Sequence, residues 1–108
     1  MFVARFSYQF RPIDRDRALE LLRQEVQAAS GQGLTARLLV PLTRAAGGAA
    51  LQYEVIVDDL NAFESFREQG VSGEKGTRSW ARELSELLTE PPAVELLRIA
   101  DGSETKQG

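Results

Sequence analysis

The side chains in this sequence with the most chemistry to offer are two tyrosines, one tryptophan and a small set of opposed charges. Tyr8 and Tyr53 each stand on the apolar side of an alternating segment. A phenol carried into such a place needs a hydrogen-bond partner for its hydroxyl. Trp80 shares a helical stripe with Leu84, Leu87 and Leu88. Core packing accounts for that stripe, and a pocket wall is compatible with it. If both phenol hydroxyls enter one cavity beneath Trp80, with Phe66 beside it, these four residues form a ligand-contact group for a small apolar or aromatic molecule. Arg5, Arg37, Glu54 and Glu95 form the second group. By strand parity they fall together on the opposite face of a sheet, where Arg5 could meet Glu54 or Glu95.

Much chemistry is excluded. The sequence holds no cysteine and no histidine. That removes thiol nucleophiles, disulfides, imidazole catalysis and the usual zinc or haem ligands. No cofactor and no metal is therefore expected. Asp58 and Asp59 are adjacent and suit helix capping, as does Asn61 in the first turn of the same helix. No pair of acids has a spacing that demands acid/base work. Gly70, Gly73 and Gly76 match neither a dinucleotide fingerprint nor a P-loop. They read as a flexible break, with a lid over a pocket mouth as its functional form.

The elements that must position these groups are read from periodicity. Phe2, Ala4, Phe6, Tyr8 and Phe10 alternate with Val3, Arg5, Ser7 and Gln9, which is a strand with one greasy face. Asp14 is placed to cap a helix bearing Leu19, Leu22, Val26 and Ala29, stopped by Gly31 and Gly33. Residues 34–42 read as a strand whose Pro41 belongs at a sheet edge. A Gly47-Gly48 hairpin leads to a third strand over 51–57. A short helix with Leu60, Phe63 and Phe66 on one side comes next, then the Trp80 helix, ended by Pro91 and Pro92. A last strand runs over 94–99.

The order is β-α-β-β-α-α-β, which resembles the ferredoxin-like split βαβ arrangement. It predicts an α+β fold with a four-stranded antiparallel sheet in the order 4-1-3-2. A chain of 108 residues suits one domain, assigned to 1–100, with a polar tail over 101–108. The net charge of −3 disfavours a polyanion partner. The third strand, ALQYEVIV, lacks the basic-glycine-aromatic signature of an RNA-binding sheet, and Glu54 would repel phosphate. No apolar run reaches the ~20 residues of a membrane helix, and the start lacks a signal-peptide layout. A cytoplasmic protein without nucleic-acid or membrane partners is expected. Arginine far outnumbers lysine and alanine is plentiful, which fits the codon usage of a GC-rich bacterium.

The sheet face opposite the helices is mixed, with Val3, Leu39, Ile56, Leu97 and Ile99 among two arginines and two glutamates. A solvated face rarely carries so many aliphatic residues, and a dry core rarely carries four charges. A partly wet interface between two sheets suits that composition, the ion pairs specifying partner and register more than they stabilise.

The aromatic first strand, the DDLNAFESFREQG segment, the tryptophan helix and the PPAVELLRI ending make the chain resemble the dimeric α/β-barrel superfamily. Similar members are the antibiotic-biosynthesis monooxygenase-like and NIPSNAP-like proteins. The resemblance implies a homodimer of two ferredoxin-like subunits packed sheet against sheet as a barrel. It also implies a small-molecule pocket between the sheet and helices of each subunit. Haem members of that superfamily ligate iron through histidine, which is absent here. The expected function is a small-molecule-binding homodimer. The alternative is a cofactor-independent monooxygenase or isomerase acting on a small aromatic or quinone-like substrate. Fold alone does not choose between them.

Overall fold

In the computed structural model, residues 1–62, 64 and 73–101 are described, the last stretch by its side chains from Trp80 onward. The expectations for Phe63, Phe66, residues 70–72 and the tail over 102–108 lie outside the described residues.

Strand β1 spans Phe2–Tyr8. Its alternation continues on paper to Phe10, but pairing ends at Tyr8, and Phe10 makes only an isolated bridge to Leu88. The chain then turns through a 3-10 helix at Pro12–Asp14 into α1, Arg15–Gly31. Asp14 stands at the N-cap of α1 as its position suggests, but without the expected capping bond. It lies within the 3-10 turn, its side chain caps nothing, and its carboxylate instead accepts from Arg11 Nε at 3.2 Å. The stop at Gly31–Gly33 is as expected: Gly33 takes φ +79°, and Leu34 N–H reaches back to the Ala29 carbonyl at 2.9 Å.

Strand β2 is Thr35–Leu39, ending before Pro41, and β3 is Leu51–Val57. Asp59, rather than Asp58, caps the helical turn after β3, its Oδ1 accepting from the Ala62 N–H at 2.8 Å. Helix α2 runs Gly73–Leu87, so Gly73 and Gly76 lie inside a helix and not in a flexible break. The glycines cost helix stability, by about 1 kcal/mol each relative to alanine. They fall in the first turn, however, and the amphipathic stretch after them carries the element. Strand β4 is Ala93–Arg98.

The sheet order is β2-β3-β1-β4, all antiparallel, the same order as 4-1-3-2 read from the other edge. One face is closed by α1. Ala4 and Tyr8 from β1 and Leu51, Tyr53, Val55 and Val57 from β3 meet Ala18, Leu21 and Leu22, with Leu84 of α2 joining them. Each fully buried leucine there is worth roughly 2 kcal/mol of transfer free energy. The opposite face holds Val3, Arg5, Ser7, Gln52, Glu54 and Ile56 on the two central strands, as parity requires.

Candidate ligand site and the charged sheet face

Tyr8 and Tyr53 come from neighbouring strands and point to the same side, toward α1. Both are buried, at 3% and 1% exposure. Phe6 lies directly across from Tyr53 in the ladder, the two rings tilted at 38° with centroids 5.8 Å apart. The Tyr53 hydroxyl is buried and has no hydrogen-bond partner among the described residues. Such an orphaned group costs free energy unless something meets it.

Glu25 belongs to the same place and is the residue that sequence reasoning missed. It is only 6% exposed, and its charge acts on both phenols. Burial pushes the Tyr8 hydroxyl well above the usual tyrosine range, and Tyr53 and Glu25 add to the shift. Burial likewise raises Tyr53, with Glu25 reinforcing it. Both phenols therefore stay protonated at neutral pH and are available as hydrogen-bond donors. A signal for Glu25 did exist: it falls in the helical stripe of Leu21, Leu22 and Ala29, an acid among apolar neighbours.

Trp80 is half-buried against the core, and its indole N–H donates to the Leu21 carbonyl at 2.6 Å. That carbonyl lies one helical turn before Glu25, so the bond ties α2 to α1 beside the carboxylate. Of the four pocket residues expected from the sequence, Tyr8 and Tyr53 are brought together and Trp80 is docked on the covering helix. Phe66 lies outside the described residues. Several surface clefts lie away from this cluster. One, of about 480 Å³, runs along α1 past Asp16, Leu19 and Arg23. Another, of about 180 Å³, sits between Phe10, Arg15 and Arg44. Among the described residues no three metal-ligating side chains come together.

On the other face Glu54 is held by two guanidiniums. Arg5 Nε donates to its Oε2 at 2.6 Å and Arg37 Nε to its Oε1 at 2.7 Å. The Glu54 side chain is 1% exposed, while those of Arg5 and Arg37 are 33% and 66% exposed. Burial alone would raise the Glu54 carboxyl. The hydrogen bonds and charges of Arg37 and Arg5 outweigh it and hold the group below the ordinary carboxylate range. Glu95 lies across from Arg5 in the β1–β4 ladder. It is exposed and has no ion-pair partner among the described residues. Of the two partners open to Arg5 by parity, the sheet gives it Glu54.

Element order, sheet order and helical cover define an α+β protein of the ferredoxin-like fold. Solved structures with this fold are similar along nearly their whole length. An antibiotic biosynthesis monooxygenase superposes with a TM-score of 0.70 at 13% identity, covering 94% of this chain and 100% of that one. An uncharacterized NIPSNAP domain protein from Burkholderia xenovorans gives 0.71 at 14% identity, covering 93% and 95%. A dimeric ferredoxin-like protein of unknown function from Thermobifida fusca gives 0.65 at 13%, covering 91% and 90%. No family model matches the sequence, and no curated protein matches it. At these identities the likeness is one of fold.

Proposed function

We propose that this chain is a cytoplasmic bacterial homodimer, one ferredoxin-like domain per subunit over residues 1–100, that binds a small apolar or aromatic molecule between its sheet and helices. The observation that carries the ligand reading is the buried Tyr53 hydroxyl, unpartnered among the described residues, beside Tyr8 and Glu25 on the side covered by α1. A ligand with one acceptor and an apolar body would satisfy that hydroxyl and lie against Phe6 and Trp80. The dimer reading is supported by the mixed outer face and by the dimeric Thermobifida protein of the same fold. Among the described residues no helix is long and apolar enough to cross a membrane.

The sequence has one tryptophan, and Trp80 docks on the helix that covers the site, so its emission reports binding. Titration with a panel of small phenols and quinones should shift that emission saturably in the wild type. Tyr53→Phe should weaken binding of the same compound about tenfold, the worth of one hydrogen bond. Equal affinity in the two proteins would place the ligand elsewhere.

A second reading, oxygenation or isomerisation of a small aromatic or quinone-like substrate without a cofactor, is favoured by Glu25. A buried carboxylate within reach of a bound phenol can accept its proton. Here Glu25→Gln would abolish turnover while leaving binding in place. Unchanged turnover would remove Glu25 from any such chemistry.

A further inference from the structure

The register of the sheet places the outer-face charges in a single line. Arg37 pairs with Glu54, Glu54 with Arg5, and Arg5 with Glu95. Across β2-β3-β1-β4 the row therefore reads plus, minus, plus, minus. On one side of it runs the row Thr35, Ile56, Val3 and Leu97, and on the other Leu39, Gln52, Ser7 and Ala93.

Of the two-fold axes that bring this face onto a copy of itself, two keep the strands of the two sheets aligned. An axis running along the strands reverses the row from left to right. Arg37-Glu54-Arg5-Glu95 then lies over Glu95-Arg5-Glu54-Arg37 of the second copy, each arginine opposite a glutamate. The same rotation lays the Ile56-Val3-Leu97 row on its own counterpart, apolar on apolar. An axis running along the row keeps its order, stacking arginine on arginine, and sets the apolar row against Gln52 and Ser7. Like charges opposed across an interface cost several kcal/mol, whereas opposed pairs fix register.

We infer that the row makes this face complementary to itself about a two-fold parallel to the strands, pairing Arg37 of each subunit with Glu95 of the other. This rests on the homodimer reading and adds its geometry. The two end groups are suitably placed. Arg37 spends Nε on Glu54 and is 66% exposed, and Glu95 is exposed without an ion-pair partner among the described residues. The outer edges of the row thus carry one cation with donors to spare and one anion unmatched among the described residues, which the rotation brings together twice.

The test uses the double charge reversal Arg37→Glu with Glu95→Arg, which leaves both net charge and composition unchanged. Wild type and the ¹⁵N-labelled double variant are mixed, exchanged and weighed by native mass spectrometry. Random pairing would make half of all dimers mixed. In every mixed dimer the inferred axis sets arginine against arginine at one end of the row and glutamate against glutamate at the other. Mixed dimers should therefore fall about tenfold below the random share. The other axis would attract the mixed pair, and a mixed share at or above half overturns the inference. Strain inside the altered chain is common to its mixed and unmixed dimers and cancels. Should the double variant not dimerise, Arg37→Gln and Glu95→Gln decide the matter through dimer dissociation constants. Each should weaken the dimer about tenfold, and the two together little more than either alone. A stronger dimer with Arg37→Gln, or fully additive losses, overturns the arrangement. A monomeric wild type would instead overturn the dimer reading itself.

Discussion

Tyr53→Phe removes one oxygen atom from the core, and the structure fixes the sign of its effect. The hydroxyl is fully buried and unpartnered among the described residues, and Glu25 and Tyr8 are its titratable neighbours. Stripping water from a hydroxyl without compensation costs about 1–3 kcal/mol. The ring stays, so its stacking with Phe6 and its packing against α1 are kept, and no cavity larger than one oxygen is opened. The ligand-free variant should therefore be more stable than wild type by about 1 kcal/mol. For a chain of this size that amounts to roughly 4 °C in Tm. Circular dichroism melts at one fixed protein concentration are the assay, since a dimer's Tm moves with concentration. Adding a bound ligand should reverse the order, because wild type gains a hydrogen bond that the variant lacks. A ligand-free variant that melts below wild type by several degrees would refute the reasoning, since the hydroxyl would then have been satisfied all along.

The same geometry sets three further outcomes. Glu54 has a folded-state pKa below its unfolded value, so it contributes stability that is present above about pH 4.5 and lost as pH falls through the depressed folded value. Urea melts across the acid range should show a steeper loss for wild type than for Glu54→Gln; parallel curves would mean the two arginines do not stabilise the carboxylate. Trp80→Phe deletes the indole bond to Leu21 and should cost about 1 kcal/mol in urea unfolding; no loss would show that bond to be dispensable. Leu22→Ala, at a site with no exposure, should cost about 3 kcal/mol in the same assay. A loss under about 1 kcal/mol there would contradict the place given to α1 in the core.

Most of the fold was legible in the sequence, because alternation is a local signal that the pleat converts directly into a face. Phe2, Ala4, Phe6 and Tyr8 landed inward and Val3, Arg5 and Ser7 outward, and Pro41 marked an edge strand. Two local readings fell short where several physical roles compete for one residue type. Asp14 stands at the N-cap of α1 as expected, but its carboxylate bonds to Arg11 and not to the helix's N–H groups. Glycines at 73 and 76 read as a break, although amphipathic continuity from Trp80 onward extends the helix back through them. Glu25 was overlooked for a related reason: an acid on a helix is most often solvated, and only its place in the apolar stripe showed otherwise. The alignment of Arg37, Glu54, Arg5 and Glu95 in one row was beyond sequence reasoning. Parity gives the face of a residue, whereas the row depends on register, which is set by hairpin geometry and by the packing of the buried face.

What covers the outer face of the sheet decides whether the protein is a homodimer. Multi-angle light scattering on the full chain at micromolar concentration tests this most directly. We expect the mass of two chains, persisting on dilution at moderate salt. A single species with the mass of one chain, stable and folded, would contradict it.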